Sequence, residues 1–371
     1  MLSYRFRLYP SKAVEAELLR HLELCRWLYN RLLGELNRAR AEGRRLSPKD
    51  TQALIVRLKS ENPGLKLVYS KVLQMVSHQL WSNIKALAEL KKKGKKVGRL
   101  RFKGRWFKTL NYNQSGFGLE GKKLVLSKVG AINIKLHRPI NGKVKGVIIK
   151  RENSGKWFAI FQVEDGVEDK PDPLPKTWRA IGIDLGTNYL LTDSDGRQIE
   201  NARFYERTLD KIRVLHKDLS RKKKGSKNRE KARTKLARAY EKLTNQRDNF
   251  LHKLSRFYVN NHDLICVEGL PIGNMVKNSY LGKKILDASW GKFLQMLDYK
   301  AEKAGRRLER VDPKGTSKGL TYEDPYRDYI SACRILHSGL GQPSEPVEME
   351  PLRGLTYIPA SSIIEAGSPT R

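Results

Sequence analysis

The stretch Arg179-Ala-Ile-Gly-Ile-Asp184-Leu-Gly-Thr-Asn-Tyr189-Leu-Leu-Thr192-Asp-Ser-Asp195-Gly-Arg197-Gln-Ile199 reads as three short strands in succession. The apolar run around Ile181 and Ile183 ends on the carboxylate of Asp184, and a second β-rich run spans Tyr189 to Thr192. The turn residues Ser194-Asp-Gly196 then lead into a third strand near Arg197 to Ile199. Strands this close in sequence pair antiparallel, so the acid at the end of the first lies at the rim of a sheet.

Downstream the pattern changes to long basic helices, from about Arg203 to Asn261 with a break near Gly225. A strand over Leu264 to Val267 follows, then a helix over Leu286 to Ala304, a strand over Arg307 to Val311 and a last helix from about Pro325 to His337. Three antiparallel strands followed by helix and strand in alternation is the ribonuclease H-like order. The expected class is therefore α/β, with a mixed-sheet domain over 179–341. The final stretch, 342–371, is proline-rich, locally acidic and without sustained periodicity, and is expected to be a disordered tail.

Upstream, Leu2, Tyr4, Phe6 and Leu8 alternate with polar residues until Pro10, which predicts a strand. Ser11 can cap the following helix, where Val14, Leu18, Leu22, Cys25, Tyr29, Leu32 and Leu36 recur every three or four residues. A second such pattern runs through Leu73, Val76, Leu80, Ile84 and Leu87, so 11–92 reads as a helical insertion. From Arg99 to Val163 short β-rich runs, among them Lys123 to Leu126, Ala131 to Leu136, Val144 to Lys150 and Trp157 to Val163, predict a small barrel. The acidic, proline-rich stretch 166–178 then reads as a linker, which makes 1–165 one domain and 179–341 the other.

The charge balance narrows the function. Lys and Arg number 74 against 39 Asp and Glu among 371 residues, a formal net charge of +35. Self-repulsion of that size calls for a polyanionic partner, and nucleic acid is the usual one. A hydrophobic fraction of 39% supports real cores, and the length suggests two or three domains. Met1 to Lys12 alternates apolar and basic residues where a signal peptide would be apolar, and no window approaches a membrane span; an intracellular protein is expected, with no membrane partner. Cys25, Cys266 and Cys333 lie too far apart for a disulfide framework or a paired-cysteine zinc site, so no zinc is expected.

Three acids could carry chemistry. Asp184 ends the first strand of the second domain, Glu268 ends the strand Ile265-Cys-Val-Glu268, and Asp328 lies in the first turn of the last helix. Carboxylates on neighbouring strand ends can share divalent metal with a third on a nearby helix, and two hard cations about 4 Å apart can hydrolyse a phosphodiester. Oxygen ligands favour Mg²⁺ or Mn²⁺. Each acid alone also has an ordinary reading: turn or helix-start amides for Asp184, a turn before Gly269 for Glu268, and the helix macrodipole for Asp328. Asp193 and Asp195 are assigned to the hairpin turn and Asp312 to a strand end. The letters Gly116-Phe-Gly118-Leu-Glu-Gly121 match a dinucleotide fingerprint, but β-like residues follow where a helix should begin.

The string Gly182-Ile-Asp184-Leu-Gly186, Ser194-Asp-Gly196, Val267-Glu268-Gly-Leu270, Ile272-Gly-Asn-Met275, Ala288-Ser-Trp290-Gly and Leu297-Asp-Tyr-Lys300-Ala-Glu resembles the RuvC nuclease domain of the TnpB (OrfB) proteins of insertion sequences. Tyr4-Arg-Phe-Arg-Leu-Tyr-Pro10 and Cys25-Arg-Trp-Leu-Tyr-Asn30 are similar to that family's opening. The resemblance covers most of 1–342. It implies an RNA-guided DNA endonuclease that takes a guide RNA derived from the transposon end and a double-stranded DNA target with a short flanking motif. It also implies a RuvC domain with Asp184, Glu268 and Asp328 as metal-binding catalytic acids, and a wedge β-barrel over 1–165 with inserted recognition helices. The chain departs from the family in two places. Only Pro313 to Arg327 stand where the family has a zinc ribbon, and Ile330 and Arg334 stand where it has asparagines.

Basic segments supply the expected nucleic-acid contacts. Lys91, Lys92, Lys93, Lys95 and Lys96 continue through Arg99, Arg101, Lys103, Arg105 and Trp106, interleaving cations with aromatic rings. Residues 211–256 carry 17 Lys or Arg against 4 acids, including Arg221, Lys222, Lys223 and Lys224. A guided endonuclease uses all of these features. A guided DNA binder or cleavage-impaired relic would use the basic surfaces without the acids, and a guide-free nuclease would leave 1–165 without a role.

Overall fold

The computed structural model describes residues 2–104, 107–164, 176–321, 323–342 and 354–365. The chain divides into two units, 1–166 and 167–371.

In the first unit, β1 (Leu2–Tyr9) turns Phe6 and Leu8 inward. Helix α1 (Lys12–Ala41) begins where Ser11 Oγ accepts the Val14 amide, and it buries Leu18, Leu22, Cys25, Tyr29 and Leu32 on one stripe. Helix α2 (Pro48–Glu61) opens with a capping box between Ser47 and Asp50, a 3-10 turn covers Pro63–Leu67, and α3 (Ser70–Lys92) follows. Six strands come next: β2 (Thr109–Asn113), β3 (Phe117–Glu120), β4 (Lys123–Leu126), β5 (Gly130–Lys135), β6 (Lys143–Arg151) and β7 (Trp157–Glu164). They form with β1 an antiparallel, nearly closed barrel-like sheet in the order β2-β6-β7-β1-β5-β4-β3. Because β1 pairs with both β5 and β7, the helices are inserted between one strand and its own neighbours. Strands β2 and β3 and helix α2 escape a reading by periodicity: β2 offers only Leu110 and Tyr112, and the apolar residues of α2 cluster at 53–56, with Val56 exposed and only Ile55 and Leu58 buried.

In the second unit, β8 (Ala180–Leu185), β9 (Tyr189–Asp193) and β10 (Arg197–Glu200) form the antiparallel meander. Helices α4 (Phe204–Arg221) and α5 (Lys227–Asn261) make a long hairpin. Then come β11 (Leu264–Glu268), α6 (Ile272–Met275), α7 (Gly282–Ala288), α8 (Trp290–Lys303), β12 (Arg307–Val311), α9 (Arg327–Gly339), β13 (Thr356–Ile358) and α10 (Ala360–Glu365). Strand β11 runs parallel to β8, and β12 parallel to β11, giving the order β12-β11-β8-β9-β10-β13. Without β13 this is the ribonuclease H order, three antiparallel strands flanked by two parallel ones.

Two sequence expectations are corrected here. The single helix over 286–304 is two helices, broken at Ser289, whose φ of 57° is left-handed. The break lets Asp287 accept the Tyr205 and Glu206 amides and so cap α4, while Trp290 is buried at the start of α8. The tail expected to be disordered over 342–371 contains β13 and α10. Strand β13 adds to the edge of the sheet parallel to β10, Glu200 Oε2 accepts the Ala360 amide at 2.8 Å, and Lys253 Nζ donates to the Ile364 carbonyl at 2.6 Å. Three residues paired through their backbone leave no periodic signal. Residues 343–353, 366–371, most of the expected linker, Arg105 and Trp106 lie outside the described residues.

Candidate active site

The three acids come from three elements of the second unit. Asp184 is the penultimate residue of β8 and Glu268 the last of the adjacent parallel strand β11, so both stand at the same sheet end. Asp328 is the second residue of α9. Burial pushes the Asp184 carboxyl up to about 7, and the negative charges of Glu268 and Asp328 add to the rise. Glu268 and Asp328 are raised too, by burial first, with the Arg327 guanidinium opposing in both cases. Asp193, by contrast, is a structural acid: its oxygens accept the Asp195 and Arg197 amides, Arg197 Nη1 and the Tyr258 hydroxyl.

Glycines bring α9 to the sheet. A Cβ built on Gly182 in β8 would stand 2.1 Å from the Ala332 carbonyl oxygen and 2.8 Å from the Leu336 amide nitrogen, so α9 lies directly on the strand backbone there. At its other end Gly339 of α9 leaves room for the Cys266 side chain of β11, whose Sγ would be 2.2 Å from an added Cβ. A Cβ on Gly186 would be 3.7 Å from Asp328 Oδ2, which places that carboxylate beside the end of β8.

The short segment 313–326 contributes a partner that periodicity and strand-end reasoning miss. Thr316 is buried, and its Oγ1 donates to Glu268 Oε1 at 2.5 Å. Arg334 of α9 donates from Nη1 to the carbonyls of Thr316 (3.3 Å) and Lys318 (2.8 Å), and the Ser317 and Ser331 hydroxyls are 3.3 Å apart. The segment therefore braces the strand of Glu268 against the helix of Asp328. Asp328 itself forms an ion pair with Arg327 at 3.8 Å. With Glu268 held by Thr316 and Asp328 drawn to Arg327, no three His, Cys, Asp or Glu among the described residues stand close enough to hold one metal ion as they are. The donor chemistry still suits a hard cation: the negative charges of Glu268 and Asp328 oppose ionisation of the half-buried Asp184, and a cation would offset both that repulsion and the cost of holding charge out of water.

Comparison with known proteins places the chain. Residues 161–279 match the family profile OrfB_IS605, described as "Probable transposase". A Streptomyces pristinaespiralis protein named "Putative RNA-guided DNA endonuclease" is 33% identical over 316 residues, covering 84% of this chain and 77% of that protein. The chain belongs to the OrfB family. An Escherichia coli K12 relative, "Putative RNA-guided DNA endonuclease InsQ", is 28% identical over 345 residues, covering 86% and 82%. Residues 290–324 match a "Cas12f1-like, TNB domain" and residues 1–45 an OrfB "Helix-turn-helix domain". In this OrfB chain residues 2–41 hold one strand and one long helix. A chain in "Cryo-EM structure of the Cas12f1-sgRNA-target DNA complex" aligns over 90% of this chain and 83% of that one, at a TM-score of 0.49 and 15% identity.

The basic residues of the OrfB chain fall into two groups. Lys91 and Lys92 end α3 and Lys93 caps it, while Lys95, Lys96, Arg99, Arg101 and Lys103 lie in the irregular segment that follows. Asn30 pins that segment to α1 by bonding both the amide (2.7 Å) and the carbonyl (2.9 Å) of Lys103. In the second unit Arg221 ends α4 and Lys222–Lys224 form the hairpin turn. Arg229 Nη1 closes that turn by donating to the Leu219 and Lys222 carbonyls, a fixing role with no sequence signature. No helix among the described residues is long and apolar enough to cross a membrane.

Proposed function

We propose that this OrfB protein is a transposon-associated, RNA-guided DNA endonuclease that hydrolyses phosphodiesters at Asp184, Glu268 and Asp328. The observation that carries the reading is the meeting of three carboxylates at one sheet end: Asp184 and Glu268 close the adjacent parallel strands β8 and β11, and Asp328 of α9 lies beside the end of β8, with Glu268 buried and the other two half-buried. These three residues would hold Mg²⁺ or Mn²⁺. When bound, the cation neutralises the phosphodiester and lowers the barrier to attack by water. Asp184 and Glu268 are presented by a rigid sheet, Thr316 orients Glu268, and α9 carries Asp328 with a backbone held by Gly182. The guide RNA would come from the transposon end, and the double-stranded DNA target would carry a short flanking motif. Phosphate affinity for both would come from the net charge of +35.

A second reading is favoured by one observation: Glu268 and Asp328 are engaged by Thr316 and Arg327, and no ready-made metal cluster forms among the described residues. On that reading the chain is a guided DNA binder that does not cut. Co-expression with its native locus RNA and exposure to a plasmid library with randomised flanks separates the two. RNA-dependent cuts next to one motif support the endonuclease. Motif-dependent DNA retention with the plasmids intact supports the binder.

A further inference from the structure

We infer that a groove in the first unit, between the C-terminal half of α1 and the end of α3, binds an unpaired polynucleotide strand. The groove has a volume of about 840 Å³. Its floor is apolar and half-buried, made by Leu36, Trp81, Ile84, Leu87 and Leu100. Its rim carries Arg40, Arg45, Lys91, Lys95, Lys96 and Arg99, none with an acidic partner among the described residues, and no acidic residue lines it. Arg44, also on the rim, is the exception, pairing with Glu42. The Trp81 ring nitrogen is spent on Thr51 Oγ1 at 2.9 Å, so the indole offers the groove only its apolar surface.

The two halves of this surface call for one kind of ligand. Unpaired cations on a rim seek phosphates. A half-buried apolar floor gains by covering with a flat apolar group, and a nucleobase out of its stack is such a group. A double helix keeps its bases inside and would leave the floor wet, whereas an unpaired strand puts bases on the floor and phosphates on the rim. A loop, a strand end or a displaced strand all present this chemistry, in RNA or in DNA. Arg40, Arg44 and Arg45 come from a part of the chain about 50 residues before Lys91, and only the fold brings them to one edge.

The inference rests on the nucleic-acid reading of the family but not on cleavage, so it is tested in EDTA with the full chain carrying Asp184→Ala. The probes are 12-nucleotide single strands containing 4-thiouridine (RNA) or 4-thiothymidine (DNA), and a 12-base-pair duplex, followed by fluorescence anisotropy and by crosslink mapping. The expected result is crosslinks within 33–46 or 81–100 for a single strand of either sugar. Arg40→Gln/Arg45→Gln/Lys96→Gln should weaken single-strand binding at least tenfold and lower the slope of log affinity against log salt by about 2, as three lost phosphate contacts require. Whether RNA or DNA responds identifies the source of the strand. Crosslinks mapping only outside these segments, a triple variant that binds like the parent, or equal loss for the duplex would overturn the inference. If the parent chain binds no probe at all, the nucleic-acid reading itself fails. The substituted side chains are exposed, and an unchanged thermal midpoint confirms that the variant is folded.

Discussion

Gly182→Ala is the sharpest structural perturbation of the candidate site, because it touches none of the acids. The new Cβ would sit 2.1 Å from the Ala332 carbonyl oxygen, 2.8 Å from the Leu336 amide nitrogen and 2.9 Å from Leu336 Cβ. All but the last are backbone atoms of a packed helix, so no rotamer change relieves them, and α9 must lift by about 1 Å to restore ordinary contact. Overpacking of this kind costs about 1–3 kcal/mol, which for a unit of this size lowers the thermal midpoint by roughly 2–12 °C. The same lift moves Asp328 away from Asp184, and a 1 Å misplacement at a reacting centre costs about 100-fold in rate. The assay is guided plasmid cleavage under single-turnover conditions, with differential scanning calorimetry and RNA co-purification alongside. Cleavage about 100-fold slower, with RNA still bound, is the expected outcome. Wild-type cleavage with a wild-type midpoint would refute the claim that helix-to-strand backbone contact sets the position of the third acid.

Thr316→Val removes the hydroxyl that holds Glu268 and should slow cleavage by about tenfold or more, whereas Thr316→Ser should stay within about threefold of wild type; equal losses in both would mean that only packing is at stake. Lys300 is buried with Nζ donating to the His252 carbonyl and Ser255 Oγ, and burial, then Arg256, pushes its pKa down to about 8. The folded state therefore releases this proton before the unfolded one does. Stability should rise between about pH 8 and pH 10.5, by about 3 kcal/mol from this group, and urea titrations of Lys300→Met should lack that rise. Gly34, in the last third of α1 but inside it, has a helical neighbourhood and open space where its Cβ would be, so Gly34→Ala should stabilise by about 0.5–1 kcal/mol in denaturant unfolding; a loss would show that the site is tighter than it looks.

What could be read from sequence, and what could not, divides along physical lines. Strands β8 to β10 are legible because apolar runs are punctuated by Asp and Gly at the turns, and the order of strands and helices after them defines the sheet. Asp184 and Glu268 are legible because an acid closing an apolar strand has few places to be. Thr316 is not, since a hydroxyl in a loop gains its meaning only from Glu268, 48 residues away. Arg334 likewise acts on carbonyls, which every residue has. The rim of the groove joins residues near 45 to residues near 95, a proximity set by helix packing alone. The edge strand Thr356–Ile358 relies on backbone pairing with β10 and shows no pattern, and the break at Ser289 follows from a tertiary capping role of Asp287 that overrides a continuous helical periodicity.

The central claim is that Asp184, Glu268 and Asp328 form a metal-dependent cutting site. It is tested most directly by incubating the purified RNA-bound protein with a matched, motif-bearing DNA target in Mg²⁺ and in EDTA, with wild type and Asp184→Ala side by side. Cuts in Mg²⁺ that vanish with EDTA and with the substitution, while target binding persists, are the predicted result. Target binding with no cleavage in any arm, or cleavage that survives Asp184→Ala, would contradict it.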